Sequence, residues 1–295
     1  MPKKESEKDA EKDASKDASK DAVYMGEVPK VLRVKDPPYL KVKPLHPHLP
    51  QPPALMLLCS PVKTGKSTLI SNLLLNSNFY GQEYFDQTYI ISNTIHNDDT
   101  SRFLKEAYDC HDHYDDSIVM EIIHRQNQFE KKDMPEIALV LDDVLGSLKA
   151  GSYVNKLSTR FRHYNIRLLL FSTQVFRCVS NIVRQNVTNL VIGSPFANRS
   201  ELTKIAEEYG EVFGGIDNFL KIYKLATPAR YDFLYCDLQS NPPLAYHNFE
   251  YLVAEGMHIV VSDGGGNQND ELPEAESQTE AKPPKAQGDC SNRNM

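Results

Sequence analysis

Residues 54–68 read ALMLLCSPVKTGKST, an apolar run that leads directly into a short polar loop. Such a continuous apolar run is typical of a strand that is covered on both faces of a parallel sheet. The loop matches the phosphate-binding pattern G-x-x-x-x-G-K-[ST] except at its first position, where Ser60 replaces glycine. Because a helix pattern follows, the stretch predicts a strand–loop–helix unit that binds nucleotide phosphates.

The chemistry of phosphate binding explains the spacing within this loop. Successive backbone N–H groups of the loop and of the helix N-terminus bind phosphate oxygens. We expect Lys66 to reach the β- and γ-phosphates and Ser67 to hold Mg²⁺, while Gly65 lets the backbone approach closely. An ordinary strand-to-helix turn with a solvent lysine is the alternative. The predicted nucleotide-binding residues are Ser60, Pro61, Val62, Lys63, Thr64, Gly65, Lys66, Ser67 and Thr68.

A second apolar run, IALVLDD at residues 137–143, ends in two carboxylates. Asp142 lies at the end of the predicted strand and is suited to coordinate Mg²⁺. Asp143 then points beside the γ-phosphate, where it can orient and activate a water molecule. An extra acid after the metal aspartate favours hydrolysis over phosphoryl transfer to a small molecule. A plain strand end remains the alternative.

A third run, RLLLFS at residues 167–172, leads to Gln174. At the end of the strand beside the metal strand, a polar side chain can contact the γ-phosphate or the attacking water, so Gln174 is the candidate sensor. A loop-capping glutamine is the alternative. A cation supplied by a neighbouring subunit would stabilise the transferring phosphoryl group, but the sequence does not say which one does so. The cations around these elements are Arg160, Arg162, His163, Arg177 and Arg184.

The core of the chain alternates short apolar runs with amphipathic stretches. This predicts an α/β fold of the P-loop NTPase type, with a doubly wound, mostly parallel sheet and helices on both faces. Strands are predicted at 54–59, 87–92, 137–142, 167–172 and 188–193, with an added C-terminal edge strand at 231–237. Helices are predicted at 66–76, 117–130 and 199–209.

The two ends of the chain differ in composition from this core. Residues 7–22 repeat a Lys-Asp-Ala unit whose only apolar residue is alanine, so burial cannot offset the entropy of ordering. A helical arm that docks on a partner through its i,i+4 charge pattern is the alternative to a solvated tail. We predict a low-complexity tail at 1–22, a proline-rich extended lead-in at 23–53, an ATPase domain at 54–261 and a disordered acidic tail at 262–295.

The composition excludes few functions. The net charge of −7 comes mostly from the C-terminal tail, so a near-neutral core neither favours nor excludes nucleic-acid binding. The longest apolar runs have about six residues, too few to cross a membrane. Scattered cysteines in odd number are typical of a reducing compartment, and we expect a soluble, intracellular protein. The cluster Cys110-His111-Asp112-His113 lacks a second ligand pair at zinc-site spacing and is predicted to be a polar loop.

Several stretches, in this order, resemble the poxvirus-type DNA-packaging ATPases of large DNA viruses and their relatives, which belong to the FtsK/HerA-type motors. The resemblance covers roughly residues 54–255, most of the folded part of the chain, and Ser60 is its main departure. The stretches are KTGKST at 63–68, YIISNT at 89–94, LVLDD at 139–143, RFRHYNIRLLLFSTQ at 160–174, IVRQNVTNLVIG at 182–193 and SELTKIAEEYG at 200–210.

The resemblance implies an ATPase that uses ATP and Mg²⁺. It gives catalytic roles to Lys66, Asp143 and Gln174, and metal-binding roles to Ser67 and Asp142. Arg184 matches an arginine of the family's R-x-N element and is counted with the catalytic residues, its exact role left open. The family also implies a homo-oligomeric ring that moves double-stranded DNA of any sequence into a preformed viral capsid, at the host-cell assembly site or in the virion.

Three other functions share part of this pattern. A helicase of the same superfamily would have the same catalytic residues, and only the lack of an accessory DNA-binding domain argues against it. A nucleotide or nucleoside kinase would normally have an arginine-rich lid, and no clear lid signature is present. A non-enzymatic scaffold with a degenerate phosphate loop is kept open by Ser60, although Lys66, Ser67 and Asp142 are intact.

Overall fold

The computed structural model describes residues 43–96, 101–148, 151–196 and 198–260. The predicted tails at 1–22 and 262–295, and the first part of the proline-rich lead-in, lie outside these residues. The strands are β1 (Ala54–Cys59), β2 (Gln87–Ser92), β3 (Asp109–His111), β4 (Ile137–Asp142), β5 (Ile166–Thr173), β6 (Asn189–Gly193), β7 (Phe233–Asp237), β8 (Leu244–His247), β9 (Tyr251–Glu255) and β10 (His258–Ile259). The α-helices are α1 (Lys66–Leu75), α2 (Arg102–Ala107), α3 (Asp116–Gln126), α4 (Tyr153–Arg160), α5 (Asn181–Arg184), α6 (Arg199–Tyr209) and α7 (Ile216–Ala226).

These strands form one mixed sheet in the order β10-β9-β8-β7-β6-β1-β5-β4-β2-β3. The strands from β6 to β3 in this order run parallel. The strands from β7 to β10 extend the sheet in antiparallel fashion. The predicted α/β fold with a mostly parallel sheet is therefore confirmed. The single added edge strand is incomplete as a prediction, because β8, β9 and β10 lie beyond β7.

Helices cover both faces of the sheet, and alternate residues of β1 show why. Leu55 and Leu57 point into a core shared with α3, α4, α6 and α7. Met56 and Leu58 point into a second core shared with α1 and α2. A strand buried on both faces needs an apolar residue at every position, which explains the continuous apolar run at 54–59. Among the described residues, no helix combines the length and the apolarity needed to cross a bilayer.

Residues 43–53, the end of the predicted lead-in, pack against the domain without forming a helix or strand. Leu49 is buried in the core that contains α1. The Tyr80 hydroxyl donates to the Pro50 carbonyl at 2.5 Å, and Arg167 donates to the Pro52 carbonyl at 3.3 Å. The packed domain therefore extends N-terminally of β1.

Some local predictions differ from the structure. Helix α3 ends at Gln126, not at residue 130, because the backbone changes to i→i+3 turns, with the Gln128 and Phe129 N–H groups donating to the carbonyls three residues earlier. The predicted polar loop around Cys110 is wrong at its start. Cys110 and His111 belong to β3, which pairs with β2 at the edge of the sheet. In the described part of the chain, no cluster of three or more His, Cys, Asp and Glu side chains is arranged to hold a metal ion.

The parallel strands end at one common edge. Ser92 of β2 lies opposite Asp142 of β4, and Asp142 lies opposite Ser172 of β5. Cys59, the last residue of β1, lies opposite Thr173 of β5 on one side and Ile192 of β6 on the other. The phosphate loop, the two aspartates and Gln174 therefore emerge side by side at this carboxyl edge.

Candidate nucleotide-binding and hydrolysis site

The loop between β1 and α1 has a backbone shape that requires left-handed residues. Gly65 has φ 90° and immediately precedes α1, and Lys63 has φ 60°. Glycine adopts this region at no steric cost, which explains Gly65 at the helix start. The loop therefore curves around the N-terminus of α1, where N–H groups favour an anion.

Ser60 stands where the phosphate-loop pattern has glycine, and the structure shows how the domain accommodates it. The residue is only 1% exposed, and its hydroxyl is hydrogen-bonded to the Thr64 hydroxyl. Thr64 in turn donates to the Pro61 carbonyl at 2.6 Å. A Cβ atom at Gly193 of β6 would lie 2.0 Å from Ser60 Oγ. The serine side chain therefore occupies space that Gly193 leaves open, and its hydrogen bond to Thr64 links the two ends of the loop.

This packing predicts that Gly193→Ala destabilises the domain by about 1–3 kcal/mol, the usual range for overpacking. The added methyl group would also lie 2.8 Å from Ser60 Cβ, so the loop or β6 must shift. Denaturant unfolding measures the loss. The control is Gly193→Ala combined with Ser60→Gly, which removes both clashing atoms and should recover much of the stability. Additive losses in the double variant would contradict the account.

Lys66 is the first residue of α1, and its side chain folds back over the loop. Its Nζ donates to the Ser60 carbonyl at 3.1 Å and lies 3.4 Å from the Pro61 carbonyl oxygen. It also lies 3.6 Å from Asp143 Oδ2. The lysine side chain is only 9% exposed, so its charge is held at the mouth of the loop. Phosphate oxygens are stronger acceptors than these carbonyls and would compete for the same ammonium group.

Asp142 is buried at the end of β4, with Oδ2 accepting a hydrogen bond from Ser92 Oγ at 2.9 Å. Burial raises the pKa of the Asp142 carboxyl above its ordinary value, and the neighbouring carboxylate of Asp143 adds to this shift. Among the described residues, Asp142 Oδ1 and Ser172 Oγ form no hydrogen bond of standard geometry, although the nearby Ser172 hydroxyl moderates the rise of the Asp142 pKa. Two buried oxygens without a well-formed hydrogen bond, beside a lysine-bearing phosphate loop, fit a hard cation, which takes oxygen ligands.

The structure bears on the two predicted metal residues to different degrees. Asp142 supplies a carboxylate oxygen without a partner, and Ser67 is the second residue of α1, directly after Lys66. Magnesium ions are usually held by one or two carboxylates together with substrate phosphates. Asp142 therefore suits Mg²⁺ bound with a nucleotide, and the metal-binding role of Ser67 stays a prediction.

The buried carboxylate predicts that Asp142→Asn raises the melting temperature in metal-free buffer at pH 8. A carboxyl group whose pKa is raised in the folded state lowers the stability of the folded protein as the pH rises from 3.8 through the raised value. The neutral amide has no such loss, so the gain over wild type should shrink as the pH falls toward 4. Thermal unfolding in EDTA across this range measures it. An asparagine variant that is less stable than wild type at pH 8 would contradict this reading.

Asp143 is the point where the predicted catalytic side chains meet. Its Oδ2 accepts a hydrogen bond from Gln174 Nε2 at 3.0 Å and forms the ion pair with Lys66. Its backbone has φ 52°, a region that few non-glycine residues adopt and that aspartate tolerates. The Asp143 N–H donates to the Ser172 carbonyl at 3.0 Å, which holds this turn in place. The structure therefore brings Lys66, Asp143 and Gln174 together.

Arg184 lies in α5 and contacts none of these three side chains in the described structure. Its Nη1 donates to Glu208 Oε2 at 2.9 Å, and its guanidinium carbon lies 5.3 Å from the centre of the Phe176 ring. Tyr209 donates to its carbonyl oxygen. These contacts tie α5 to α6, and the predicted catalytic role of Arg184 stays a prediction.

The other predicted cations fall into two places. Arg177 pairs with the buried carboxylate of Glu201 at 3.0 Å. Arg160, Arg162 and His163 are exposed and precede β5, so they lie at the amino edge of the sheet. Because the phosphate loop is at the opposite edge, these three side chains are remote from the loop.

The sequence did not indicate three residues that shape this edge. Ser92 binds Asp142, Gly193 receives the Ser60 side chain, and the Tyr231 ring lies beside Gly65. A sequence pattern does point to Ser92, because this residue ends a predicted strand in the YIISNT stretch. The other two contacts depend on β6 lying beside β1 and β7 beside β6, which no local pattern reveals.

Comparison with solved structures finds related folds. The DNA-packaging ATPase B204 from Sulfolobus Turreted Icosahedral Virus aligns with a TM-score of 0.50 and 16% identity, over 66% of this chain and 98% of that protein. The genome packaging NTPase B204 from Sulfolobus turreted icosahedral virus 2, in complex with ATP-gammaS, aligns with a TM-score of 0.44 and 18% identity, over 65% and 96%. EssC (ATPases 2 and 3) from Geobacillus thermodenitrificans aligns with a TM-score of 0.36 and 15% identity, over 48% and 32%.

No protein-family model and no curated protein sequence matches the chain. At 16% identity, the likeness to the first B204 structure concerns the fold, and it covers nearly all of that protein. In this chain the fold carries a mostly parallel sheet, a loop between β1 and α1, and an acidic end of β4. The chain therefore has the fold of the P-loop ATPases.

Proposed function

We propose that this chain is an ATPase motor that uses ATP hydrolysis to move double-stranded DNA and package a viral genome. The observation that carries the ATPase part is the meeting of Lys66 and Gln174 on the carboxylate of Asp143. This acid follows a buried aspartate suited to Mg²⁺ and lies beside the phosphate loop. An acid in this place suits activation of water, so the arrangement supports hydrolysis.

Each of these side chains would have a distinct role in ATP hydrolysis. Lys66 would leave the loop carbonyls and Asp143 to neutralise the terminal phosphates of ATP. Asp143, released from that ion pair, would accept a proton from the attacking water. Gln174, bonded to Asp143, would hold the carboxylate in position and respond when the terminal phosphate departs. Ser67 and Asp142 would hold Mg²⁺, which supplies charge neutralisation on the phosphate oxygens when bound.

The DNA part rests on different support. The sequence stretches around Lys66, Asp143 and Gln174 resemble poxvirus-type DNA-packaging ATPases, and a protein of similar fold bears the name of a DNA-packaging ATPase. Within this proposal the chain forms a homo-oligomeric ring, grips duplex DNA through phosphates without sequence preference, and acts with a preformed capsid at the host-cell assembly site. The FtsK/HerA-type and poxvirus-type assignments belong to the same proposal.

Phosphate release from ATP, measured with and without linear duplex DNA, tests this function. We expect duplex DNA of any sequence to stimulate hydrolysis, and the stimulation to fall as salt rises because phosphate contacts are screened. Stimulation by single strands with strand separation would instead indicate a helicase. Transfer of phosphate to a nucleoside would indicate a kinase. No hydrolysis under any condition would leave a non-enzymatic scaffold.

A further inference from the structure

The ring of Tyr231 lies beside the phosphate loop although no motif includes it. A Cβ atom built on Gly65 would lie 3.7 Å from Tyr231 Cδ1, an ordinary van der Waals distance. Tyr231 belongs to the connection between α7 and β7. Because β7 runs antiparallel to β6, with Phe233 opposite Gly193, this connection reaches the carboxyl edge where the loop lies.

The ring is exposed, yet the chain holds it in a defined place. Tyr231 is 56% exposed and has φ 76°, a conformation that is a genuine outlier for a bulky side chain. Its N–H donates to the Ser194 carbonyl at 3.3 Å, and the Arg230 guanidinium carbon lies 4.9 Å from the ring centre. A turn closes behind it, with the Ala229 N–H bonded to the Asp232 carboxylate. Strain of this kind persists where the surrounding structure enforces it, and it is frequent at ligand sites.

The position of the ring relative to Asp143 and Gln174 indicates which end of a bound nucleotide it contacts. β1 lies between β5 and β6. Asp143 and Gln174 follow β4 and β5, so the water-activating groups lie on one side of the loop. Tyr231 and Arg230 precede β7 and lie on the other side. A nucleoside triphosphate whose terminal phosphate faces Asp143 has its nucleoside end directed away from that acid, toward the aromatic ring.

We propose that Tyr231 stacks on the base of the bound nucleotide, while Arg230 lies over one face of the ring. The proposal rests on the proposed function, because it assigns the nucleoside end of the same ATP site. Stacking uses the π-face that every base has, so the ring contributes affinity for nucleoside triphosphates without reading the identity of the base. The ring is thus a binding residue for the nucleoside, separate from the residues that bind phosphate.

A first experiment uses the fact that the chain contains no tryptophan. Tyr231→Trp places a single indole at the proposed stacking position, so tryptophan fluorescence reports on that position alone. We expect ATP to produce a saturable fluorescence change, and inorganic tripolyphosphate to produce a much smaller one. The matched control is Tyr251→Trp in β9, at another exposed tyrosine that stacks on His247. Equal responses at the two positions would overturn the proposal.

A second experiment removes the ring while respecting the backbone. Asparagine tolerates left-handed φ values, so Tyr231→Asn deletes the aromatic group with little added strain. We expect the dissociation constant for ATP to rise about tenfold, within the usual effect of losing one stacked base, and that for tripolyphosphate to stay unchanged. Tyr231→Phe keeps the ring and should bind ATP like wild type.

Lys66→Ala separates the failure of this inference from failure of the site itself. If Lys66→Ala abolishes ATP binding and Tyr231→Asn leaves ATP affinity unchanged, the phosphate site is correct and the stacking role is wrong. If ATP binding by wild type does not depend on Lys66, the proposed function fails and the stacking role fails with it. Equal losses of ATP and tripolyphosphate affinity in Tyr231→Asn would also overturn the proposal, since they would indicate a disturbed loop.

Discussion

Replacement of Lys66 by alanine is expected to lower the rate of ATP hydrolysis by at least about 100-fold, the usual effect of losing one donor to the transition state. Lys66 supplies the positive charge at the mouth of the loop, where its side chain is 9% exposed and bonded to loop carbonyls. Affinity for ATP should fall as well. Phosphate release and equilibrium ATP binding measure the two effects.

The matched control is Lys204→Ala. Lys204 lies on α6 and pairs with Glu207 at the surface, so its loss removes a lysine without touching the loop. This variant should hydrolyse ATP at the wild-type rate. Full activity in a correctly folded Lys66→Ala protein would refute the assignment of the phosphate site.

Asp143→Asn is expected to separate hydrolysis from binding. Loss of a general base typically lowers the rate by about 10²–10⁴-fold. The amide is the same size as the carboxylate, and it no longer holds Lys66 in the ion pair at 3.6 Å. ATP affinity should therefore be retained or increased while turnover falls. Single-turnover hydrolysis and equilibrium binding, measured on the same preparation, separate the two quantities.

Asp112→Asn is the control for this change, because Asp112 is an exposed carboxylate that pairs with His113 instead of the loop. It should behave as wild type. If Asp143→Asn hydrolyses ATP normally, water activation belongs to another residue. If it fails to bind ATP, Asp143 shapes the site instead of acting on water.

The buried parallel strands were predictable because each needs apolar residues on both faces. Residues 54–59 and 137–142 were predicted to the residue, as were 87–92. The short antiparallel strands β8 and β10 have four and two residues, too few to give a pattern. Helix α7 carries a clear apolar face, with Phe219, Ile222, Tyr223 and Ala226 buried. Gly214 and Gly215 precede this helix and interrupt the helical pattern, so α7 was not among the predicted helices.

The place of the candidate catalytic residues at one edge was predictable for a related reason. Asp142 ends one of the strands that the apolar runs reveal, Gln174 directly follows another, and Lys66 follows β1 after a short loop. Parallel strands end at one edge. The partners of these residues were not predictable, because they depend on strand order. Ser92 reaches Asp142 because β2 lies beside β4, and Gly193 receives Ser60 because β6 lies beside β1. In the sequence alone Ser60 is only a departure from the motif, and the contact with Gly193 accounts for it.

Movement along duplex DNA is the central claim, and displacement of a third strand from a linear triplex measures it most directly. A motor that moves on the duplex removes the third strand without separating the two strands beneath it. We predict ATP-dependent displacement by the wild-type protein, none with a non-hydrolysable ATP analogue, and none by Asp143→Asn. Hydrolysis stimulated by duplex DNA without any displacement of the third strand would contradict the account.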